Sequence, residues 1–205
     1  EHINGASQIQ TLEDSGRAGA PIEDPINPKR CGHLDGKAVV DENTAIKRIR
    51  AAVDGRRDPN FLVMARTDIR AVEGMDAAVD RAKALVDAGA DAIFPEAIRT
   101  LEEFAAMRAA VDVPILANMT EFGKSELFTT DQLRDVGVNI VIWPVSLLRI
   151  AMGAAGRALD TLDTEGHLTG KLGEMQHRAD LYDLIDYEQY SAFDSSVFDF
   201  TITKE

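Results

Sequence analysis

The segment AGAPIEDPINPKRCGH, residues 18–33, joins a short apolar run to a loop that carries the only cysteine of the sequence. Residues 18–22 are small and apolar, which predicts a buried strand that ends at Glu23. The prolines and the glycine that follow exclude both a helix and a regular strand. Polar groups at the point where a buried strand passes into a loop are typical of the active site of a parallel α/β protein.

Cys31 has two interpretations. A single cysteine is usually a small buried hydrophobic residue. Here, however, Lys29, Arg30 and His33 would surround the sulfur with positive potential, which lowers the pKa of a thiol and makes it a nucleophile or a proton-exchanging group. We favour the chemical interpretation because of these neighbours.

The composition is that of an ordinary globular domain: 205 residues, of which 45% are hydrophobic and 28% charged. The formal net charge of -13 argues against nucleic acid or an anionic membrane as a partner. One cysteine excludes an internal disulfide framework and fits a reducing cytoplasm. No apolar run approaches the ~20 residues of a membrane helix, and no secretory signal pattern is present.

The rest of the chain alternates strand patterns with helix patterns. Continuous apolar runs predict strands at 18–23, 61–65, 92–94, 113–117 and 139–143. Apolar spacing and capping signals predict helices at 5–16, 41–55, 74–89, 100–110, 130–137 and 146–162. Residues 166–173 are predicted as a loop, and a further helical pattern follows in the tail.

This alternation predicts a parallel sheet, because right-handed crossovers leave no other simple arrangement. An open doubly wound sheet and a closed barrel are both possible. Four residues lie at or just after the C-terminal ends of different strands: Glu23, Arg66, Glu96 and Asn118. Any one of them could be a helix cap or a loop hydrogen bond. Together they favour an α/β (β/α)8 TIM-type barrel, in which these ends surround one mouth.

Several motifs resemble one superfamily. Residues 29–33, KRCGH, resemble the K-[KR]-C-G-H signature of the isocitrate lyase and phosphoenolpyruvate mutase superfamily. The segments MARTD (64–68), FPEA (94–97), NMTEFG (118–123), MQHR (175–178) and YEQY (187–190) are similar to its methylisocitrate lyase branch. The resemblance extends from about Leu12 to Tyr190.

The resemblance implies Mg²⁺-dependent cleavage of 2-methylisocitrate to pyruvate and succinate in propionate breakdown, with isocitrate cleavage as the alternative. Cys31 would be the acid that protonates the succinate carbanion, and Lys29 and His33 would assist it. Glu23 would interact with Mg²⁺, through water. The residues that would contact substrate are Cys31, Gly32, Arg66, Glu96, Asn118, Met119, Thr120, Arg149 and Arg178.

Substrate selectivity is predicted to depend on the volume of the pocket. Phe94, Ile142 and Pro144 flank its predicted wall, and isocitrate lyases have larger residues at Phe94 and Ile142. The simpler interpretation is that all three are ordinary core residues. Smaller residues there would leave room for the extra methyl group of 2-methylisocitrate.

A complete barrel has eight strands, whereas five are predicted here. The chain therefore resembles the C-terminal two thirds of the enzyme: one incomplete barrel domain, 1–205, with a C-terminal helical extension at 166–205. The Asp pair that binds Mg²⁺ in the superfamily would lie in the preceding part. Two hypotheses follow: a portion of an active lyase, or an inactive fragment or paralogue that acts through protein contacts. The resemblance also implies a cytoplasmic homotetramer in which subunits exchange C-terminal helices.

Overall fold

The structure, a computed structural model, describes residues 2–26 and 36–198. Five strands are present: β1 (Gly19–Glu23), β2 (Leu62–Thr67), β3 (Ala92–Pro95), β4 (Leu116–Asn118) and β5 (Ile140–Ile142). The first helices are α1 (His2–Asp14), α2 (Glu42–Gly55), α3 (Arg70–Glu73), α4 (Met75–Asp87), α5 (Leu101–Ala110) and α6 (Thr130–Asp135). They are followed by α7 (Ser146–Glu165), a 3₁₀ helix (Thr169–Glu174), α8 (Arg178–Leu184) and α9 (Tyr187–Phe198). The chain forms two compact units, of which the first ends at Ser146 and the second begins at Leu147.

The strands of the first unit are parallel neighbours in chain order. β1 pairs with β2 and β2 with β3, so that Glu23 lies opposite Arg66 and Arg66 opposite Phe94. A parallel bridge between Ile93 and Ile115 connects this sheet to the β4–β5 pair. An open doubly wound sheet would reverse its strand order at a switch point, whereas a barrel keeps it. The described strands thus form an arc of a TIM-type barrel, as predicted.

Alternate residues of each strand face two different apolar clusters. Val63, Ala65 and Ile93 belong to the large cluster that the strands form with the helices. Met64, Phe94 and Leu116 belong to a small cluster that contains strand residues alone. Because side chains alternate along a strand, this second cluster marks the inner face of the arc.

The helices begin and end largely where the sequence patterns place them. Asp41 caps α2 through the amide of Thr44, at 3.0 Å. Thr100 caps α5 by accepting from the Glu103 amide, but the Glu103 carboxylate accepts from the Arg99 amide and so does not complete a capping box. A complete capping box is found at Thr129 and Gln132 instead. Within the described residues, no helix is both long and apolar enough to cross a membrane.

The tail differs from its prediction. The loop predicted at 166–173 contains the 3₁₀ helix Thr169–Glu174. A 3₁₀ turn needs only hydrogen bonds between residues three apart, so it can form in a short segment without an apolar period. The short helix α3 was not predicted either, because four residues are too few for a visible apolar period.

Candidate active site

The four strand-end residues predicted from the sequence lie at the same end of the strands. Arg66 is two residues beyond Met64, and Asn118 is two residues beyond Leu116, so each continues the inner face of its strand. Glu96 likewise follows Phe94, and Glu23 lies opposite Arg66 in the β1–β2 register. The period of two therefore directs these polar groups into the mouth of the arc.

Arg66 is at the centre of this group. Its Nη2 is 3.3 Å from Glu96 Oε2, and its Nε is 3.9 Å from Glu23 Oε2. Its Nε also donates to Asp68 Oδ1 at 3.0 Å. The guanidinium carbon lies 4.8 Å from the centre of the Phe94 ring, a cation–π contact. The guanidinium is therefore fixed by three carboxylates and a ring.

Asp68 and Lys37 extend the group by one ion pair. Lys37 Nζ is 3.1 Å from Asp68 Oδ2, and the Asp68 side chain is fully buried. Burial has the largest effect on the pKa of Asp68 and would raise it, but the hydrogen bond from Arg66 and the charges of Arg66 and Lys37 outweigh it. The pKa of Asp68 therefore lies below its ordinary value, and Asp68 is a stable anion.

Asp24 lies behind this group and is almost completely buried. Its Oδ2 accepts from Thr67 Oγ1 at 2.5 Å and from Arg81 Nη1 at 3.1 Å, and its Oδ1 accepts from the Asp68 amide at 2.9 Å. Burial raises the pKa of Asp24, although these bonds and the charge of Arg81 oppose the rise. Asp24 thus connects the end of β1 to the last residue of β2 and to the residue that follows it.

Glu96 and Asn118 are paired at the next two strand ends. Asn118 Nδ2 donates to Glu96 Oε2 at 3.3 Å, which orients the carboxamide. Asn118 Oδ1 is buried and has no hydrogen-bond partner in the described part of the chain. Buried acceptors are normally paired, so this oxygen can receive a hydrogen bond from a bound hydroxyl group.

The other predicted site residues fall into three groups. Phe94 is buried, and Ile142 and Pro144 are partly buried, at or after the ends of β3 and β5. Thr120 is buried after β4, whereas the Met119 side chain packs in the large core cluster, where its sulfur accepts from the Phe128 amide at 3.4 Å. Arg149 and Arg178 belong to the second unit. Lys29, Cys31, Gly32 and His33 lie outside the described residues.

The described residues contain no group of three His, Cys, Asp or Glu side chains that could hold a metal ion. Glu23 is the carboxylate at the mouth that was predicted to interact with Mg²⁺, and its side chain is 27% exposed. One accessible carboxylate can contact a hydrated Mg²⁺ but cannot hold it alone. Glu23 fits the water-mediated role, and direct coordination needs further ligands.

Sequence reasoning did not assign roles to Asp24, Lys37, Asp68 and Arg81. Asp24 and Asp68 stand inside quoted motifs, directly next to assigned residues. The role of Arg81 could have been recognised from its position in the sequence, since it shares the buried face of α4 with Ala78, Ala82 and Leu85. A charged residue on a buried helix face normally has a buried partner.

A family model described as "Phosphoenolpyruvate phosphomutase" matches residues 2–162. The chain is 52% identical over 201 residues to "Probable 2-methylisocitrate lyase 2" of Corynebacterium glutamicum, covering 98% of this chain and 66% of that protein. It is 47% identical to "2-methylisocitrate lyase" of Escherichia coli, covering 92% of this chain and 64% of that protein. The chain thus spans just under two thirds of the length of these relatives.

Two solved structures resemble the fold closely. An oxaloacetate acetylhydrolase has a TM-score of 0.86 at 32% identity, covering 98% of this chain and 68% of that chain. A 2,3-dimethylmalate lyase, a member of the PEP mutase/isocitrate lyase superfamily, has a TM-score of 0.82 at 31% identity, covering 97% of this chain and 68% of that chain.

Proposed function

The chain belongs to the phosphoenolpyruvate phosphomutase family, and we propose that the complete protein is a carbon–carbon lyase that cleaves 2-methylisocitrate to pyruvate and succinate. The observation that carries the proposal is the position of Arg66. It lies on the inner face at the C-terminal ends of the strands, where TIM-type barrels have their active sites. Its planar guanidinium suits a substrate carboxylate, and the two relatives from Corynebacterium glutamicum and Escherichia coli bear the name of this activity.

The described residues at the mouth carry too little positive charge to bind an anionic substrate by themselves. Arg66 and Lys37 face three carboxylates, those of Glu23, Asp68 and Glu96. A tricarboxylate would therefore be repelled unless other positive charges are present. Arg149 and Arg178 of the second unit are the further cations that the resemblance implies as substrate contacts, and Lys29 and Arg30 of the cysteine loop would add positive charge.

The proposed reaction breaks the bond between the carbinol carbon and the succinyl carbon. A general base takes the proton of the substrate hydroxyl, the pyruvate carbonyl forms, and the electron pair of the broken bond remains on succinate. Cys31 gives its thiol proton to that carbon, as the cysteine signature implies. Asn118 Oδ1 accepts from a substrate hydroxyl, while Glu96 holds the Asn118 carboxamide in place.

A bound Mg²⁺ would supply positive charge that stabilises the developing oxyanion. Glu23 would contact the ion through water, because Mg²⁺ usually keeps several water ligands. The direct ligands that the resemblance implies are two aspartates outside these residues. Glu23→Gln is expected to weaken Mg²⁺ binding in the complete protein, as measured by calorimetry.

A homo-oligomer, in which subunits exchange C-terminal helices, is part of the same proposal. The helices α8 and α9 of the second unit contain no buried residue in the described chain. They expose large apolar side chains, among them Leu184, Tyr190, Phe193 and Phe198. Several large apolar side chains exposed together are typical of protein interfaces. A cytoplasmic location fits the single cysteine.

The decisive experiment is a parallel assay of the complete protein on two substrates. With Mg²⁺ present, we expect equal amounts of pyruvate and succinate from 2-methylisocitrate and a lower kcat/KM for isocitrate, which would give glyoxylate. Arg66→Gln is expected to abolish turnover. Its matched control is Arg57→Gln, because Arg57 pairs with Glu13 and is half exposed.

Each outcome decides between the hypotheses. A higher kcat/KM for isocitrate would assign the protein as an isocitrate lyase. No turnover of either substrate, with the fold intact by circular dichroism, would support the inactive paralogue. Full activity of Arg66→Gln would reject the proposed site.

A further inference from the structure

The network behind the mouth is built around one buried cation. Arg81 lies on α4 and is 4% exposed, and the Asp24 carboxylate that it contacts is 2% exposed. Its Nη1 donates to Asp24 Oδ2 at 3.1 Å. Nη1 and Nη2 both lie 3.2 Å from the carbonyl oxygen of Val40. The guanidinium of Arg81 thus connects α4 to two other segments of the chain, one containing Asp24 and one containing Val40.

Asp24 and Val40 belong to two short segments that run antiparallel. The Val40 amide donates to the Asp24 carbonyl at 2.9 Å, and the Ile26 amide donates to the Ala38 carbonyl at 2.9 Å. Pro25 and Val39 form an antiparallel bridge between them. Lys37, which pairs with Asp68, lies in the second of these segments. Arg81 therefore contacts the segment that positions Lys37 as well as the segment that follows β1.

The same network reaches Arg66 through two hydrogen bonds. Asp24 Oδ1 accepts from the amide of Asp68 at 2.9 Å, and its Oδ2 accepts from Thr67. The side chain of Asp68 in turn accepts from Arg66 Nε at 3.0 Å and from Lys37 Nζ at 3.1 Å. Every group between Arg81 and the Arg66 guanidinium is buried or nearly so. A shift of Asp24 would consequently displace the Asp68 carboxylate and the two cations bound to it.

We propose that Arg81 is a positioning residue of the site: its contacts with Asp24 and Val40 hold the Asp68 carboxylate where it orients Arg66 and Lys37 towards the substrate. Arg81 itself lies behind these groups, on the outer helix layer, and its hydrogen bonds within the described part of the chain go to Asp24 and Val40. The kinetic part of this proposal rests on the proposed function; the structural part does not.

The chain contains a matched control at the other end of β2. Arg56 Nη1 donates to Asp91 Oδ2 at 2.6 Å and to the Phe61 carbonyl at 3.0 Å. Asp91 Oδ2 also accepts from the amide of Val63 at 2.8 Å. This pair repeats the arrangement of an arginine, an aspartate, a strand amide and a carbonyl, but at the N-terminal edge of the sheet, away from the mouth.

The test compares Arg81→Met, Arg81→Lys and Arg56→Met in the complete protein. Hydrogen exchange is measured on the peptide that contains the Asp68 amide and on the peptide that contains the Val63 amide. We expect exchange at Asp68 to rise at least about tenfold in Arg81→Met and to stay unchanged in Arg56→Met. Exchange at the Val63 amide should rise in Arg56→Met and stay unchanged in Arg81→Met. This measurement needs no substrate.

Kinetics at a temperature well below the Tm of each variant provide the second measurement. We expect Arg81→Met to lower kcat/KM for 2-methylisocitrate about 10- to 100-fold, because small displacements of a substrate-orienting group have effects of this size. Arg56→Met should leave it within about twofold of the parent. Arg81→Lys retains the charge but not the planar fork, so it should restore part of the loss.

Three results would overturn the proposal. One is unchanged exchange at Asp68 in Arg81→Met; another is an equal kinetic loss in Arg56→Met, which would indicate a general effect on folding. The third applies if Arg81→Met does not fold: parental kinetics and parental Asp68 exchange in Arg81→Lys would then show that the guanidinium fork is dispensable. Absence of turnover in the parent would reject the proposed function and leave the exchange measurement valid.

Discussion

The backbone amide of Asp68 donates to the carboxylate of Asp24, yet the pKa values of the two carboxyl groups are displaced in opposite directions. Burial is the largest influence on both, and it raises the pKa of each carboxyl group. At Asp24 burial prevails over Thr67, the Asp68 amide and Arg81. At Asp68 the hydrogen bond and charge of Arg66, together with Lys37, prevail over burial. The pair therefore contributes to stability with opposite dependence on pH.

Asp68→Asn is predicted to destabilise the protein mainly near neutral pH. The folded pKa of Asp68 is depressed, so its stabilisation is present above the unfolded value of about 3.9 and is lost as pH falls through the lower folded value. The Tm difference between parent and variant should hence shrink in acid. Ile49→Val has no titratable group, and its Tm difference should not follow pH in this way. A pH-independent difference for Asp68→Asn would contradict the prediction.

Phe94→Trp is predicted to shift kcat/KM of the complete protein from 2-methylisocitrate towards isocitrate. Phe94 is buried at the end of β3 beneath Arg66, so a larger ring would reduce the volume at the mouth. One methyl group in an apolar pocket is worth only ~1–3 kcal/mol, and we expect a shift of that order. Parallel assays on both substrates measure it. An unchanged ratio would mean that Phe94 does not contact the substrate's methyl group.

Cys31→Ser is predicted to lower kcat by ~10²–10⁴-fold while leaving substrate affinity nearly unchanged, the usual effect of removing a general acid. We assign the role of general acid to Cys31 because cationic residues surround it in the sequence. Single-turnover kinetics and calorimetric binding of the substrate separate the two quantities. Activity within tenfold of the parent would rule out this role.

At the scale of elements, the packing of α1 on α2 depends on a glycine. A Cβ atom at Gly55 would lie 2.4 Å from the backbone Cα of Ala6. Since the contact is with backbone, a small movement of a side chain cannot relieve it. The two helices can approach this closely only because the C-terminal residue of α2 has no side chain.

Gly55→Ala is predicted to lower the free energy of unfolding by about 1–3 kcal/mol, the usual effect of overpacking a close contact. Urea denaturation measures the change. Gly156→Ala on α7 is the matched control, because a Cβ atom there would meet nothing within 4 Å among the described residues. In a helix interior that substitution should be neutral or slightly stabilising. Equal effects of the two substitutions would refute the close-contact argument.

At the scale of the whole molecule, the described strands form an arc with two ends. β1 pairs only with β2, and β5 pairs only with β4, among the strands that the structure describes. Unpaired strand edges are sites of association between chains. The exposed apolar residues of the second unit add to this tendency.

Residues 1–205 expressed alone are therefore predicted to aggregate or to associate with another chain. The complete protein is predicted to form a discrete homo-oligomer, because the exposed apolar residues of the second unit offer a surface for a second copy. Sedimentation velocity on the two proteins distinguishes these outcomes. A stable, monodisperse monomer of residues 1–205 would contradict the prediction.

The amino-acid sequence by itself determined the alternation of strands and helices and the position of Glu23, Arg66, Glu96 and Asn118 at or just after the ends of strands. Both are local properties: the period of two in a strand and the spacing of apolar residues in a helix follow from backbone geometry. The same reasoning failed for α3 and the 3₁₀ helix, whose few residues carry no period of their own.

Only the tertiary structure decided which charges meet. Asp24 and Arg81 are 57 residues apart in the chain, and Lys37 and Asp68 are 31 apart. No periodic pattern relates residues at such separations, because their contact depends on how α4 packs against the sheet and how the segment around Val40 pairs with the one after β1. The strand ends alone therefore predicted where the site lies, whereas the fold supplied the buried ion pairs that orient it.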